Sequence, residues 1–409
     1  MVRRSVLALF AVTAIVLGCV VVSTPAGAVI DSATIMPSPN TGTSGNVLNS
    51  VSCVNVSWCV AVGWYKSGSV QQTLIEVWNG TDWTVQTSPN PGSSTRDNVL
   101  NSVSCVTVTS CIAVGYYDNG SANQTLVEVL NGTDWTVQSS PHAGITNNEL
   151  HSVSCVTVTS CIAVGYYNDG AVWQTLVEVL NGTVWTVQTS PNPSTSINVL
   201  DSVSCLTVTS CVAVGYFDNG SVHQSLVEVL SGTVWTVQTS PNPGTTATFL
   251  RSVSCLTVTS CVAVGDYNNS SGYQTLVEVL NGTVWTVQTS PNPGTNLSEL
   301  WSVSCVTVSS CVAVGFHFSL GSPWQTLVEV WNGTDWTVQT SPNSGTSDNY
   351  LNSVSCLTAS SCVAAGSYLG PRNKTLVLSI TGPEPIPTTT TTTTSPSVSS
   401  DPVAPAFTG

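Results

Sequence analysis

The sequence predicts an all-β protein, a seven-bladed β-propeller with four-stranded blades whose last blade is completed by the N-terminal strand. Three observations lead there. A unit of about fifty residues recurs seven times, its first cysteine at Cys53, Cys105, Cys155, Cys205, Cys255, Cys305 and Cys356. A regular period of this size means one supersecondary unit repeated in space. Each copy holds four short strand signals, and one copy is divided between the two ends of the chain.

The four signals read S-V-S-C, C-V-A-V-G-Y, T-L-V-E-V-L and W-T-V-Q-T in the clearest copy or its neighbours. They are rich in Val, Thr and aromatic residues and are separated by turn formers. Asn-Gly between the third and fourth (Asn131-Gly132, Asn181-Gly182, Asn281-Gly282) is a tight-hairpin signal. Beyond the N-terminal apolar run, no stretch has helical periodicity. The seventh copy runs from its third strand, Leu376 to Ile380, into Pro383 without a W-T-V-Q segment. The missing piece stands at the other end, where Ala33 to Asn40 reads A-T-I-M-P-S-P-N. The N-terminus is therefore expected to complete the last blade and lock the ring, as blade-by-blade propellers require.

The ends predict export. Met1-Val2-Arg3-Arg4, an apolar run from Val6 to Val22 and the small-x-small Ala26-Gly27-Ala28 form a secretory signal peptide over residues 1–28. The rival reading takes Cys19 as a lipidated lipobox cysteine. The propeller is expected over 29–382 and a Pro/Thr/Ser-rich flexible stalk over 383–409. The final Pro405-Ala406-Phe407-Thr408-Gly409 is similar to a sortase sorting signal, without the apolar segment and basic tail that would follow. The expected location is extracellular, with cell-wall or lipid anchoring as the variants. No second apolar stretch is long enough to span a bilayer, and a monomer is expected.

Without Arg3 and Arg4, five basic residues face 21 acidic ones, a net charge of 5 − 21 = −16. That balance excludes nucleic acid as a partner. Setting Cys19 aside, 14 cysteines form seven C-x5-C pairs: Cys53–Cys59, Cys105–Cys111, Cys155–Cys161, Cys205–Cys211, Cys255–Cys261, Cys305–Cys311 and Cys356–Cys362. Even, regular cysteines in an exported chain read as disulfides, and the spacing differs from zinc patterns. So short a loop contributes at most about 2 kcal/mol per bridge. No metal and no cofactor are expected, and Asp118-Asn119-Gly120 and Asp218-Asn219-Gly220 read as turns rather than calcium loops.

Most repeated residues are architectural. Trp83, Trp135, Trp185, Trp235, Trp285 and Trp336 open the fourth strand, where a large ring fills the gap between blades. Glu76, Glu128, Glu178, Glu228, Glu278 and Glu329 recur mid-strand, with Leu378 in the seventh copy. Five basic residues cannot pair six of them, so they are expected to reach solvent or accept hydrogen bonds.

Function is sought where the copies differ. The turn inside each cysteine pair and the Asn-Gly hairpin share one face and are nearly uniform. The inter-blade loops and the loops between second and third strands share the other, which carries Lys66, Arg96, Arg251, Arg372 and Lys374. Two registers stand out. The residue after the leucine that opens the first strand is Asn49, Asn101, His151, Asp201, Arg251, Trp301 and Asn352 in turn. The residue two before the third strand's opening Thr or Ser is Gln71, Asn123, Trp173, His223, Tyr273, Trp324 and Asn373. One sector offers amides to hydroxyls and the other offers aromatic and ionisable groups, a combination suited to carbohydrate. Drift at unconstrained loop positions is the plain alternative, and His151, Asp201 and His223 also admit a metal or acid–base reading.

In its S-V-S-C…C-x-A-V-G-Y…N-G-T-x-W units, over about residues 31 to 382, the chain resembles the secreted repeat propellers of actinobacteria. The resemblance implies the fold and leaves activity open, since propellers host lectins, hydrolases and scaffolds alike. The N-G-T-x-W hairpin is also partly similar to the Asp-box of sialidases, with Leu130 or its equivalents at the Asp position. Sialidase-like propellers use an arginine triad and a tyrosine nucleophile, and here Arg96, Arg251 and Arg372 fall in separate blades. The expected function is non-enzymatic binding of glycan or a cell-surface polymer through the variable face. The alternatives are a glycoside hydrolase or lyase using His151 and Asp201, or a structural surface protein.

Overall fold

The computed structural model describes residues 32–92 and 95–382. The expected signal peptide, Cys19, the stalk and the sorting-like ending lie outside the described residues. Among the described residues every regular element is a strand, and none is a helix able to cross a membrane.

The fourth repeat shows the unit. Its strands, Asn198–Thr207, Ser210–Asp218, His223–Ser231 and Val234–Val237, form an antiparallel meander. Cys205 lies opposite Cys211, and all seven expected disulfides are present with Cα atoms 4.0–4.1 Å apart. At the 3–4 hairpin Gly232 has φ +66°, a left-handed conformation that glycine adopts freely. Its N–H donates to Thr209 O of the cysteine turn, so these two turns share one end of the sheet. At the other end Asp218 N donates to Ile197 O of the inter-repeat segment. Both faces therefore fall as the sequence implied. Such four-stranded sheets, repeated and packed side by side, make a β-propeller.

The repeated residues bind neighbouring repeats together. Both serines of S-V-S-C accept backbone N–H bonds from the next repeat's first strand. Ser152 and Ser154 take those of Val203 and Cys205 at 3.2 and 3.1 Å. The same pair of bonds joins Ser353 and Ser355 to Val51 and Cys53 across the ends of the chain. The fourth-strand tryptophans are buried and donate Nε1 to the preceding repeat's glutamine, at 2.8–2.9 Å in five cases. Apolar clusters lie between sheets: Ile162, Val164 and Val177 of the third repeat pack on Leu200, Leu226 and Trp235 of the fourth. Repeats four to six are further joined edgewise by single parallel bridges, His223 to Ala247 and Tyr273 to Leu297.

The N-terminal strand Ser32–Met36 pairs antiparallel with the C-terminal strand Asn373–Thr381, from Ser32 opposite Thr381 to Met36 opposite Val377. Ser38 then donates to Glu76 of the first repeat at 2.6 Å, and Thr375 N donates to Asn40 Oδ1 at 3.0 Å. Both contacts repeat what the S-P-N segments do elsewhere, as when Thr175 N donates to Asn192 Oδ1. One substitution breaks the pattern. Met36 stands where the other repeats have glutamine, and Trp83 Nε1 is left buried without a partner.

The six glutamates follow the second of the two expected courses and accept hydrogen bonds. They do not reach solvent: all are 0 % exposed. Each accepts one bond, from a serine of the preceding S-P segment (Ser88 on Glu128 at 2.8 Å, Ser240 on Glu278 at 2.5 Å, Ser190 on Glu228). Every Oε1 is buried without a partner. Burial pushes each carboxyl up to about 8, with the serine bond a smaller opposing effect. A carboxyl that cannot be solvated or paired stays protonated instead.

Candidate functional site: an axial cavity ringed by bulges

The first strand of every repeat carries a β-bulge at one place. Its ladder to the second strand shifts register between Leu48 and Ser50, and at the six equivalent points. The residue skipped is Asn49, Asn101, His151, Asp201, Arg251, Trp301 or Asn352. A bulge leaves one residue unpaired and re-aims its side chain. It also explains the invariant glycine of A-V-G in this chain. A Cβ on Gly63 would lie 2.0 Å from Val47 O, and the other six glycines are held as closely.

All seven bulge residues line one cavity of about 440 Å³, together with Tyr116, Glu149 and Tyr216. Residues that look unrelated in the sequence are thus brought together by one local distortion repeated seven times. The two sectors behave differently. Asn352, Asn49 and Asn101 each donate Nδ2 to the next repeat's leucine carbonyl (Leu48, Leu100 and Leu150) at 2.9 Å. The third to sixth repeats carry a chain of charges. His151 Nδ1 lies 3.0 Å from Asp201 Oδ1, and Arg251 Nη1 lies 3.5 Å from Asp201 Oδ2. Arg251 Nε donates to Asp266 Oδ1 at 3.1 Å. The Arg251 guanidinium sits 4.5 Å from the Phe249 ring centre and 5.3 Å from that of Trp301. Trp301 is 37 % exposed and donates Nε1 to Glu299 at 3.0 Å.

Burial works against the charge of His151, but the bond and the negative charge of Asp201 outweigh it and raise its pKa. Burial pushes the Asp266 carboxyl up to about 7 despite Arg251, and it raises Glu299 as well. Among the described residues no group of three or more His, Cys, Asp or Glu is placed to hold a metal ion.

The second register behaves otherwise. Gln71, Asn123, Trp173, His223, Tyr273, Trp324 and Asn373 sit at the edge of the 2–3 hairpins and do not line the cavity. Trp173 stacks on Tyr166 with ring centres 4.6 Å apart, His223 packs on Tyr216 and Phe249, and Trp324 packs on Phe316, Phe318 and Tyr350. Asn123 reaches inward only to donate to Glu149, at 2.7 Å. Their rings serve the walls behind the cavity. The arginines are not assembled either: Arg96 pairs with Asp118 at 3.2 Å, Arg372 donates to Thr43 O, and only Arg251 enters the cavity. In the Asp118 and Asp218 loops the carboxylate accepts the N–H two residues on, as an Asx turn does.

Five participants were not singled out in the sequence: Tyr116, Glu149, Tyr216, Asp266 and Glu299. Their signal is present. The residue before the opening leucine reads Val, Val, Glu149, Val, Phe249, Glu299, Tyr350 along the repeats. The residue after the bulge-facing glycine is aromatic in five repeats and Asp266 in the fifth in order.

No protein-family model and no curated protein matches the sequence. A solved structure described as YCF48 bound to D1 peptide is similar in fold, with a TM-score of 0.53 over 88 % of this chain and 100 % of that chain. At 13 % identity the likeness concerns the fold alone.

Proposed function

We propose that residues 29–382 form a closed seven-bladed propeller, exported behind the 1–28 signal and displayed on the 383–409 stalk, that binds glycan or a cell-surface polymer without turning it over. Ring closure is supported by the serine bonds between the seventh and first repeats and by the Ser32–Met36 strand. Export is supported by seven disulfides in a chain of this composition. One observation carries the binding reading: the positions at which the repeats differ most converge, through seven bulges, on a single polar cavity with an exposed indole at its wall. A sugar ring presents hydroxyls to amides and an apolar face to tryptophan. That a propeller of similar fold is described with a bound peptide supports binding as a use of the architecture.

The His151–Asp201 pair favours a second reading, since an imidazole oriented by a carboxylate is what a general base needs. Asp201 also holds Arg251, which suits a fixed scaffold better than a proton relay. A glycan array followed by a reducing-sugar assay on the bound oligosaccharides separates the two. The expected result is retention of at least one oligosaccharide class, loss of it in Trp301→Ala by roughly tenfold or more, and no release of reducing ends. Released reducing ends that disappear in His151→Ala would establish the hydrolytic reading instead. An array without any hit would remove both.

A further inference from the structure

Resting on the glycan reading, a further feature of the cavity names the group it selects: its open amide oxygens are gathered on one side, that of the seventh, first and second repeats. Asn49, Asn101 and Asn352 each spend one N–H on a leucine carbonyl. Their Oδ1 atoms make no hydrogen bond among the described residues and stay open to a donor. The charges are one-sided too. Glu149 and Asp201 line the cavity, Asp266 and Glu299 lie against Arg251 and Trp301 behind it, and Arg251 is the one permanent cation. Arg251 is already matched by Asp201 and Asp266 and covered by Phe249 and Trp301, so its charge is spent internally. Even then Asp266 Oδ2 is buried with no partner. His151, when protonated, is committed to Asp201.

What remains lies toward the first three repeats: the open Asn49 and Asn101 oxygens and the Glu149 carboxylate, which accepts from Asn123 at 2.7 Å but has no cation paired with it among the described residues. A hydroxyl brings one donor to such a place. An ammonium brings three and a charge, and charge-assisted bonds are about twice as strong as neutral ones. The chain's formal charge of −14 adds a field that draws cations to the mouth. We propose that the axial cavity seats the protonated primary amine of an amino sugar, with the ammonium on the Asn101–Glu149 side and the sugar's apolar face toward Trp301.

Calorimetric titration of the intact chain tests this with four probes, at a pH where the amine is protonated. They are a glucosamine tetramer, the same tetramer N-acetylated, a glucose tetramer and tetralysine. The glucosamine tetramer is expected to bind at least tenfold more tightly than the other two sugars, a factor that charge-assisted bonds supply. Glu149→Gln keeps the shape of the side chain and should bring the affinity for the glucosamine tetramer down to within about threefold of that for its N-acetylated form. Equal affinity for the three sugars would overturn the amine and leave the glycan reading standing. Binding of tetralysine alone would overturn the amino sugar as the source and the glycan reading with it. No binding of any probe would overturn both.

Discussion

Raising the pH from about 5 to about 9 is expected to lower the melting temperature steadily, by on the order of ten degrees or more. The cause is the set of six repeated glutamates, each fully buried and each pushed from 4.5 to about 8. A carboxyl whose folded pKa lies above its unfolded one binds more protons in the folded state between the two values. Its contribution is complete below about 4.5 and is lost as the pH rises through about 8. Each group can contribute up to about 1.4 kcal/mol per pH unit over that interval. The seventh repeat shows how to remove the effect, because Leu378 takes the glutamate's place and Ser341 turns to Thr326 at 2.7 Å. Glu228→Leu should therefore raise the melting temperature at pH 8.5 and leave it unchanged or lower it at pH 5, since replacing a buried polar group by an apolar one of similar shape costs little. Thermal melts across this range decide the matter. A flat profile, or a variant that is less stable at pH 8.5, would mean that the carboxyls find solvation in the folded chain.

Removing residues 29–42 is expected to destabilise the protein by about 5 kcal/mol, taking about 1 kcal/mol for each of the five paired positions. The loss extends beyond the ladder. Ala33 packs on the cluster around Leu376 and Leu378, Met36 packs beside Trp83, and Ser38 is the hydrogen-bond donor to Glu76. The same segment contains a weak point that can be strengthened. Met36→Gln places an acceptor where the six other repeats have one, and should recover the Trp83 Nε1 bond with a gain of about 1 kcal/mol. Denaturant melts of both variants read this directly. A truncated chain as stable as the full one would show that the strand is an accessory, whatever Met36→Gln does.

The blades were legible because every repeated residue has a repeated task. The S-V-S serines bind the next repeat, the tryptophan meets the glutamine before it, and the S-P-N asparagine holds the third strand of its own repeat. The glutamates were half legible. Their number against the basic residues ruled out pairing, but full burial as neutral acids follows only from the serine geometry and the packed sheets. For the site, variability alone could not separate two registers that looked equally irregular. The bulge separates them. It frees Asn49 and its six counterparts from the ladder, whereas His223 and its counterparts sit at hairpin edges, as in the pairing of His223 with Asp218. Glycine facing leucine was the visible trace of that bulge, and the close approach of the two backbones is why no side chain fits there.

The central claim is that function resides in the departures from the repeat, gathered at the axial cavity. A crystal structure of the protein soaked with the oligosaccharides retained on the array tests it most directly. Sugar density among Asn101, Glu149, Arg251 and Trp301 is the expected result. Sugar bound instead on the uniform face, among the cysteine turns and Asn-Gly hairpins, with the cavity holding only water, would contradict it.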